Sequence, residues 1–133
     1  MAARILVADD SVTMRMIVQS ALEQSGWTVF AAADGGAALD VAAREPVDLV
    51  VTDWNMSPQS GLDLIRGLRA RPETVQTPVI VLTTEDADTL QEVTRGLNVG
   101  AWLSKPLDPQ MLVELVARTL AHQLPLEDKA ARP

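Results

Sequence analysis

The chain contains no cysteine, which excludes disulfide staples, thiolate metal centres and cysteine-based catalysis together. It has a single histidine, His122, so a metal cluster built on imidazoles is excluded as well. Basic charge is also scarce. Against 18 Asp and Glu stand only 11 Lys and Arg, a formal net charge of -7, the wrong sign for holding nucleic acid through its phosphates. No stretch approaches the ~20 apolar residues of a membrane span. The N-terminal Met1-Ala2-Ala3-Arg4-Ile5-Leu6-Val7-Ala8 meets Asp9 and Asp10 before a signal-length apolar run can form. Repeats, low-complexity tracts, G-x-G-x-x-G and Walker patterns are missing too, so Gly35-Gly36 reads as a turn into a helix. A soluble cytoplasmic domain is expected, with no direct nucleic-acid contact and no membrane insertion.

What is present is ordinary globular material: 133 residues, 47% hydrophobic and 22% charged. That fits one domain with a core able to stabilise itself, since a ~150-residue domain buries roughly 70% of its unfolded surface. Ile5–Ala8, Leu49–Thr52 and Val79–Leu82 are continuous runs of strong β-formers, the habit of strands covered on both faces of a parallel sheet. Thr28–Ala31 and Ala101–Leu103 are weaker, as edge strands tend to be.

Between these blocks the apolar period becomes helical. Met14, Ile17, Val18, Ala21 and Leu22 form one predicted helix face, and Leu112, Leu115, Val116, Thr119 and Leu120 another. Asp108 is the candidate N-cap of the latter, with Pro109 at its first position. Ala38, Val41 and Ala42 mark a helix after Asp34-Gly35, and Leu64, Ile65 and Leu68 a short one after Gly61. Leu90, Val93 and Leu97 give a thinner stripe starting near Glu85-Asp86, ended by Asn98 in a left-handed conformation. Strand and helix alternate five times, which predicts helices on both faces of a parallel sheet. Periodicity stops after Leu124, and residues 125–133 are expected to fray.

Polar residues sit where the strands end. Asp9 and Asp10 follow the first, Asp53 the third, Thr83 the fourth and Lys105 the fifth. Open parallel sheets bind ligands beyond the carboxyl ends of their strands, so all five groups should converge. Clustered carboxylates repel and must protonate or recruit a cation; Mg²⁺, which uses one or two carboxylates and keeps several waters, is the natural answer. Lys105 supplies a point charge suited to a phosphoryl oxygen, and the Thr83 hydroxyl a donor. Metal, ammonium and hydroxyl around one carboxylate are the parts for phosphoryl transfer to that carboxylate.

Asp9-Asp10-Ser11 with Thr13-Met14-Arg15, Asp53-Trp54-Asn55-Met56, Gly61-Leu62, Thr83-Thr84-Glu85 and Lys105-Pro106, in this order, resemble the receiver domain of two-component response regulators, closely the single-domain CheY-like chemotaxis type. The resemblance covers about residues 4 to 122. It implies a flavodoxin-like sheet of order 2-1-3-4-5, a receiver over residues 1–124 and a short tail over 125–133. By position, Asp53 resembles the phosphoacceptor, and Thr83 and Lys105 the hydroxyl and lysine that act with it. Asp10 resembles the main carboxylate ligand of Mg²⁺, Asp9 one acting largely through water, and Asn55 the donor of a backbone carbonyl; Asp53 completes the set. Trp102 occupies the switch-aromatic position usually held by Tyr or Phe. A lysine before proline in this family commonly has a cis peptide bond. The implied partners are a sensor histidine kinase or histidine phosphotransfer protein, and a downstream protein reached through the face of the fourth helix, fifth strand and fifth helix. The implied protein is a signalling protein, not an enzyme acting on outside substrates, and a monomer, with dimerisation through the fourth-helix face left open.

The sequence departs from the family pattern in places. Ser57-Pro58 stands where proline often comes one residue earlier, Asn98-Val99 replaces a usual Gly-Ala, and Thr84 replaces a small residue, which predicts slower phosphorylation and dephosphorylation. Two other readings compete: a phosphorylation-independent interaction module, favoured if Thr84 and Trp102 lock one conformation, and an aspartyl-phosphate hydrolase, disfavoured because Asp53-Trp54-Asn55 has no second acid two residues on. Trp54 reads as a partly exposed loop residue and Trp27 as packing. The Arg66, Arg69 and Arg71 group reads as a solvated helix end, and His122 as solvated surface.

Overall fold

The computed structural model describes residues 2–122. Five strands, β1 (Arg4–Ala8), β2 (Thr28–Ala32), β3 (Leu49–Asp53), β4 (Val79–Thr83) and β5 (Ala101–Ser104), alternate with α1 (Val12–Gln24), α2 (Gly35–Arg44), α3 (Gly61–Arg69), α4 (Ala87–Val93) and α5 (Pro109–His122). All strand pairings are parallel, in the order β2-β1-β3-β4-β5, as the resemblance implied.

The apolar runs explain the layering. Successive side chains of a strand point to opposite faces, so a continuous apolar run serves two cores at once. Leu6, Ala8, Val50, Val79 and Val81 meet Ala38, Ala42, Leu64, Ile65 and Leu68 of α2 and α3. On the other face Ile5, Val7, Leu49, Val51, Ile80 and Leu82 meet Val18 and Leu22 of α1 and Leu112 and Val116 of α5. β3 and β4 are buried along their whole length, as befits central strands. Trp27 packs against the α1–α5 side.

Local signals start the helices. Ser11, Asp34 and Ser60 each accept a backbone N–H from the third residue on, and Ser60 with Asp63 forms a full capping box. Asp108 accepts from the Gln110 N–H at 3.0 Å ahead of Pro109, as expected of a cap.

Two expectations fail at the helices. α4 ends at Val93, which is exposed, and Leu97 reaches the core from beyond the helix. Thr94 turns its hydroxyl onto the Leu90 carbonyl at 2.9 Å, and Gly96 at φ 84° precedes Asn98 at φ 62°. The chain therefore leaves the helical path earlier than Asn98 alone suggested. In α1, Ile17 is exposed and only Val18 and Leu22 are fully buried, because the contact with the sheet is narrower than the apolar stripe. The expected fraying over 125–133 and the solvated side chain of His122 lie outside the described residues.

The arginine group is also not a solvated helix end. Arg69 donates to the carbonyls of Leu97, Thr74 and Asn98 at 2.7, 3.0 and 3.2 Å, and Arg71 to that of Leu39 at 3.0 Å; Arg66 alone is exposed. Burial lowers the pKa of Arg69 from its ordinary value. Its guanidinium fork is the clamp that holds the irregular segment between α4 and β5. Arg69→Ala is expected to cost about 2–3 kcal/mol, since partly buried carbonyls lose a charged donor. Urea denaturation measures this, and a loss under 0.5 kcal/mol, the scale of a surface substitution (roughly ±0.5), would contradict the clamp.

Candidate functional site

The main-chain ladder runs just past the strand ends and sets the site. The Asp9 N–H donates to Ala32, that of Trp54 to Leu82 and that of Lys105 to Thr83, at 3.1, 3.0 and 2.9 Å. Asp53 pairs with Leu82 and Thr83 with Ser104. Residues at the carboxyl ends of β1, β3, β4 and β5 are thereby brought to one edge, beside the place where strand order reverses at β1.

Asp9, Asp10 and Asp53 each offer a carboxylate oxygen, and these atoms lie within 4.8 Å of one another. Asp9 and Asp53 are buried and Asp10 is exposed. Lys105 Nζ stands 3.1 Å from Asp53 Oδ1, so the cluster carries one neutralising cation. Asp9 Oδ1 accepts the Ser11 N–H at 2.9 Å, while its buried Oδ2 has no protein partner. Burial, with the Asp53 and Asp10 charges adding to it, pushes the Asp9 carboxyl above its ordinary 3.8, against the Ser11 N–H and Lys105. A buried oxygen without a donor inside an acidic cluster is the environment a hard divalent cation satisfies. The residues therefore fit Mg²⁺.

Thr83 Oγ accepts the Glu85 N–H at 2.9 Å, which leaves its own proton free to donate. Asn55 donates its side-chain amide to Glu85 at 3.4 Å. Gly61 closes the loop after Asp53 by donating to the Trp54 carbonyl at 3.0 Å. A Cβ there would lie 2.5 Å from the Asp53 carbonyl oxygen, so only glycine fits. The loop contains a cis Ser57–Pro58 bond, and Lys105–Pro106 is cis as well.

Trp102 is half-buried on β5 and meets Trp54, with ring centroids 6.1 Å apart and planes tilted by 56°. Asp9, Asp10, Asp53 and Lys105 are thus gathered as expected, with Thr83 beside them at the end of β4. Sequence reasoning missed two contributors. Arg15 donates to the Asp9 carbonyl at 2.7 Å, and Glu85 ties Thr83 to Asn55. Both lie inside the motifs already quoted, but only the turn of α1 and the bend after β4 aim them at the site. The Trp54–Trp102 contact has no sequence signal, because Trp54 lies just past β3 and Trp102 within β5, strands that are not neighbours in the sheet.

A doubly wound parallel sheet with an acidic cluster at the carboxyl ends of its strands defines a flavodoxin-like α/β protein. The family model for the response regulator receiver domain matches residues 5–117, and the chain belongs to that family. It is 37% identical over 115 residues to the chemotaxis protein CheY homolog of Campylobacter jejuni, covering 84% of this chain and 87% of that protein. It is 36% identical over 117 residues to the chemotaxis protein CheY of Pseudomonas aeruginosa, covering 86% and 94%. The structure of chemotaxis response regulator CheY4 of Vibrio cholerae matches with a TM-score of 0.83 at 30% identity, covering 89% of this chain and 98% of that one. The similarity is therefore to single-domain, CheY-like receivers. Among the described residues no helix is long and apolar enough to cross a membrane.

Proposed function

We propose that the protein is a response regulator that takes a phosphoryl group onto Asp53 from a sensor histidine kinase or histidine phosphotransfer protein in an Mg²⁺-dependent reaction. In the transfer, an Asp53 carboxylate oxygen bonds to phosphorus as the P–N bond of a phosphohistidine breaks, and the imidazole leaves. Lys105, already 3.1 Å from Asp53, offsets charge on the phosphoryl oxygens, and the Thr83 hydroxyl is free to donate to one of them. Asp9, Asp10, Asp53 and the Asn55 carbonyl would hold Mg²⁺, which when bound screens the carboxylates from the incoming anionic donor. The observation that carries this reading is the buried Asp53 carboxylate between a lysine and an acid whose Oδ2 has no partner. Output then passes to a downstream protein through the α4-β5-α5 face, with Thr83 and Trp102 as the switching pair.

Incubation with Mg²⁺ and acetyl phosphate, followed by intact mass, tests it. One phosphoryl group should appear on the wild-type protein and none on Asp53→Asn or in EDTA; labelling that survives either change sinks the assignment. Thr84, exposed beside Thr83, adds bulk at the entrance. Thr84→Ala is expected to raise both labelling and release rates several-fold, roughly 1 kcal/mol in each barrier, and unchanged rates would remove Thr84 from the account. The Trp54–Trp102 contact favours a second reading, a module whose surface is fixed whatever the state of Asp53. Labelled protein with an unaltered indole environment would support it.

A further inference from the structure

Between α4 and the edge strand β5 lies an open hollow of about 320 Å³, lined by Gln91, Thr94, Val99, Gly100 and Trp102. Among its lining residues are the half-buried Trp102 and Val99, the exposed Gln91 amide side chain and the exposed Gly100, with Thr94 buried beneath. The Thr94 hydroxyl spends its proton on the Leu90 carbonyl in a buried hydrogen bond, so it offers no donor to the hollow. Asp88, exposed, stands three residues before Gln91, on the same helix face. Glu85 and Asp86 add exposed carboxylates at the start of α4. Among the described residues of the adjoining segments, Arg95 is bridged to Glu92 at 2.6 Å, Lys105 to Asp53 at 3.1 Å, and Arg69 donates to the Leu97 and Asn98 carbonyls.

This chemistry selects its occupant. An anion would meet the exposed acids at the start of α4, and a purely aliphatic group would cover the Gln91 amide without satisfying it. A cation on an apolar stem suits the indole, the aliphatic side chain and the amide at once. Its stem would lie along Val99, its charge would stack on the Trp102 indole, and its N–H groups would reach the Gln91 carbonyl oxygen and, one helical turn away, the Asp88 carboxylate. Guanidinium, planar and many-donored, fits such a set better than ammonium. We propose that the hollow receives an arginine side chain from a basic peptide segment of a partner protein. This rests on the reading of α4-β5-α5 as the output face and adds the chemistry of what docks there.

Selection of a random displayed peptide library against the full chain tests the proposal. The enriched peptides should carry arginine well above the unselected library, and Arg→Ala in a selected peptide should weaken binding by about tenfold or more. Arg→Lys should weaken it less. Two protein variants locate the contact: Asp88→Lys removes the anion, and Gln91→Lys places a cation in the hollow. Each should weaken the selected peptides about tenfold or more while acetyl phosphate still labels Asp53. Enrichment without arginine, no enrichment, or binding retained by both variants overturns the proposal. Absence of Asp53 labelling in the wild-type protein would fail the receiver reading instead, independently of which peptides bind.

Discussion

Asp9→Asn is expected to stabilise the metal-free protein by about 1–3 kcal/mol, the cost of a buried group left without a partner. The amide keeps the carbonyl oxygen that accepts from Ser11, and it replaces the unpartnered Oδ2 with a neutral donor in a cluster that holds two further carboxylates. The gain has a defined pH dependence. Because burial holds the native Asp9 carboxyl above 3.8, the unfolded chain releases this proton first as pH rises. Between the two pKa values the native state binds more protons, so stability falls with rising pH. Below 3.8 both states are protonated and the Asp9 charge costs nothing. The advantage of Asn should therefore be small at acid pH, grow through that interval and level off toward neutrality. Urea midpoints in EDTA across pH give this difference directly; an advantage independent of pH would contradict the assignment. Saturating Mg²⁺ should reverse the ranking, because a ligand of the native state stabilises the wild type in proportion to its binding. Function and stability are thus opposed at Asp9.

Gly61→Ala is expected to cost about 2–4 kcal/mol, at or above the usual range for overpacking, because what the new methyl group strikes is backbone. The methyl carbon would sit 2.5 Å from the Asp53 carbonyl oxygen and 3.1 Å from the Trp54 Cα. No rotamer change relieves that clash, so the loop after Asp53 must move and carry the site with it. Labelling by acetyl phosphate should fall together with the urea midpoint. Gly36→Ala is the control. Its nearest neighbours are the ends of the Gln59 and Asp34 side chains, at 3.2 and 3.3 Å, and helix propensity offsets the crowding, so the net change should stay within about 1 kcal/mol. Equal stability of the two variants would show that the loop yields freely at Gly61.

Sequence patterns are local, and they were legible here where local physics decides. The runs at Ile5, Leu49 and Val79 specify strands buried on two faces, since no amphipathic alternative can hide them. Asp108, the cap legible in the sequence, starts its helix through a hydrogen bond that spans two residues, and Ser11, Asp34 and Ser60, which the sequence reading does not single out as caps, act as locally. The end of α4 is not legible, because Leu97 keeps the helical spacing. Its burial comes from a turn through Gly96 and from the Arg69 clamp, a contact that joins α3 to a segment 28 residues away. The same applies to Arg71 and Leu39. A charged side chain looks solvated in sequence until the fold supplies its acceptors.

By itself, then, the sequence determined the alternation of strand and helix, the parallel two-sided sheet, and the placement of Asp9, Asp10, Asp53, Thr83 and Lys105 at strand ends. A strand's carboxyl end is a position in sequence as much as in space, and parallel pairing sends all such ends to one edge. The tertiary structure alone decided which carboxylate is buried without a partner, which arginines are clamps, that Trp54 meets Trp102, and that a hollow opens beside β5. Each of those depends on distances between residues far apart in the chain, and burial and electrostatics are functions of distance, which residue spacing does not encode.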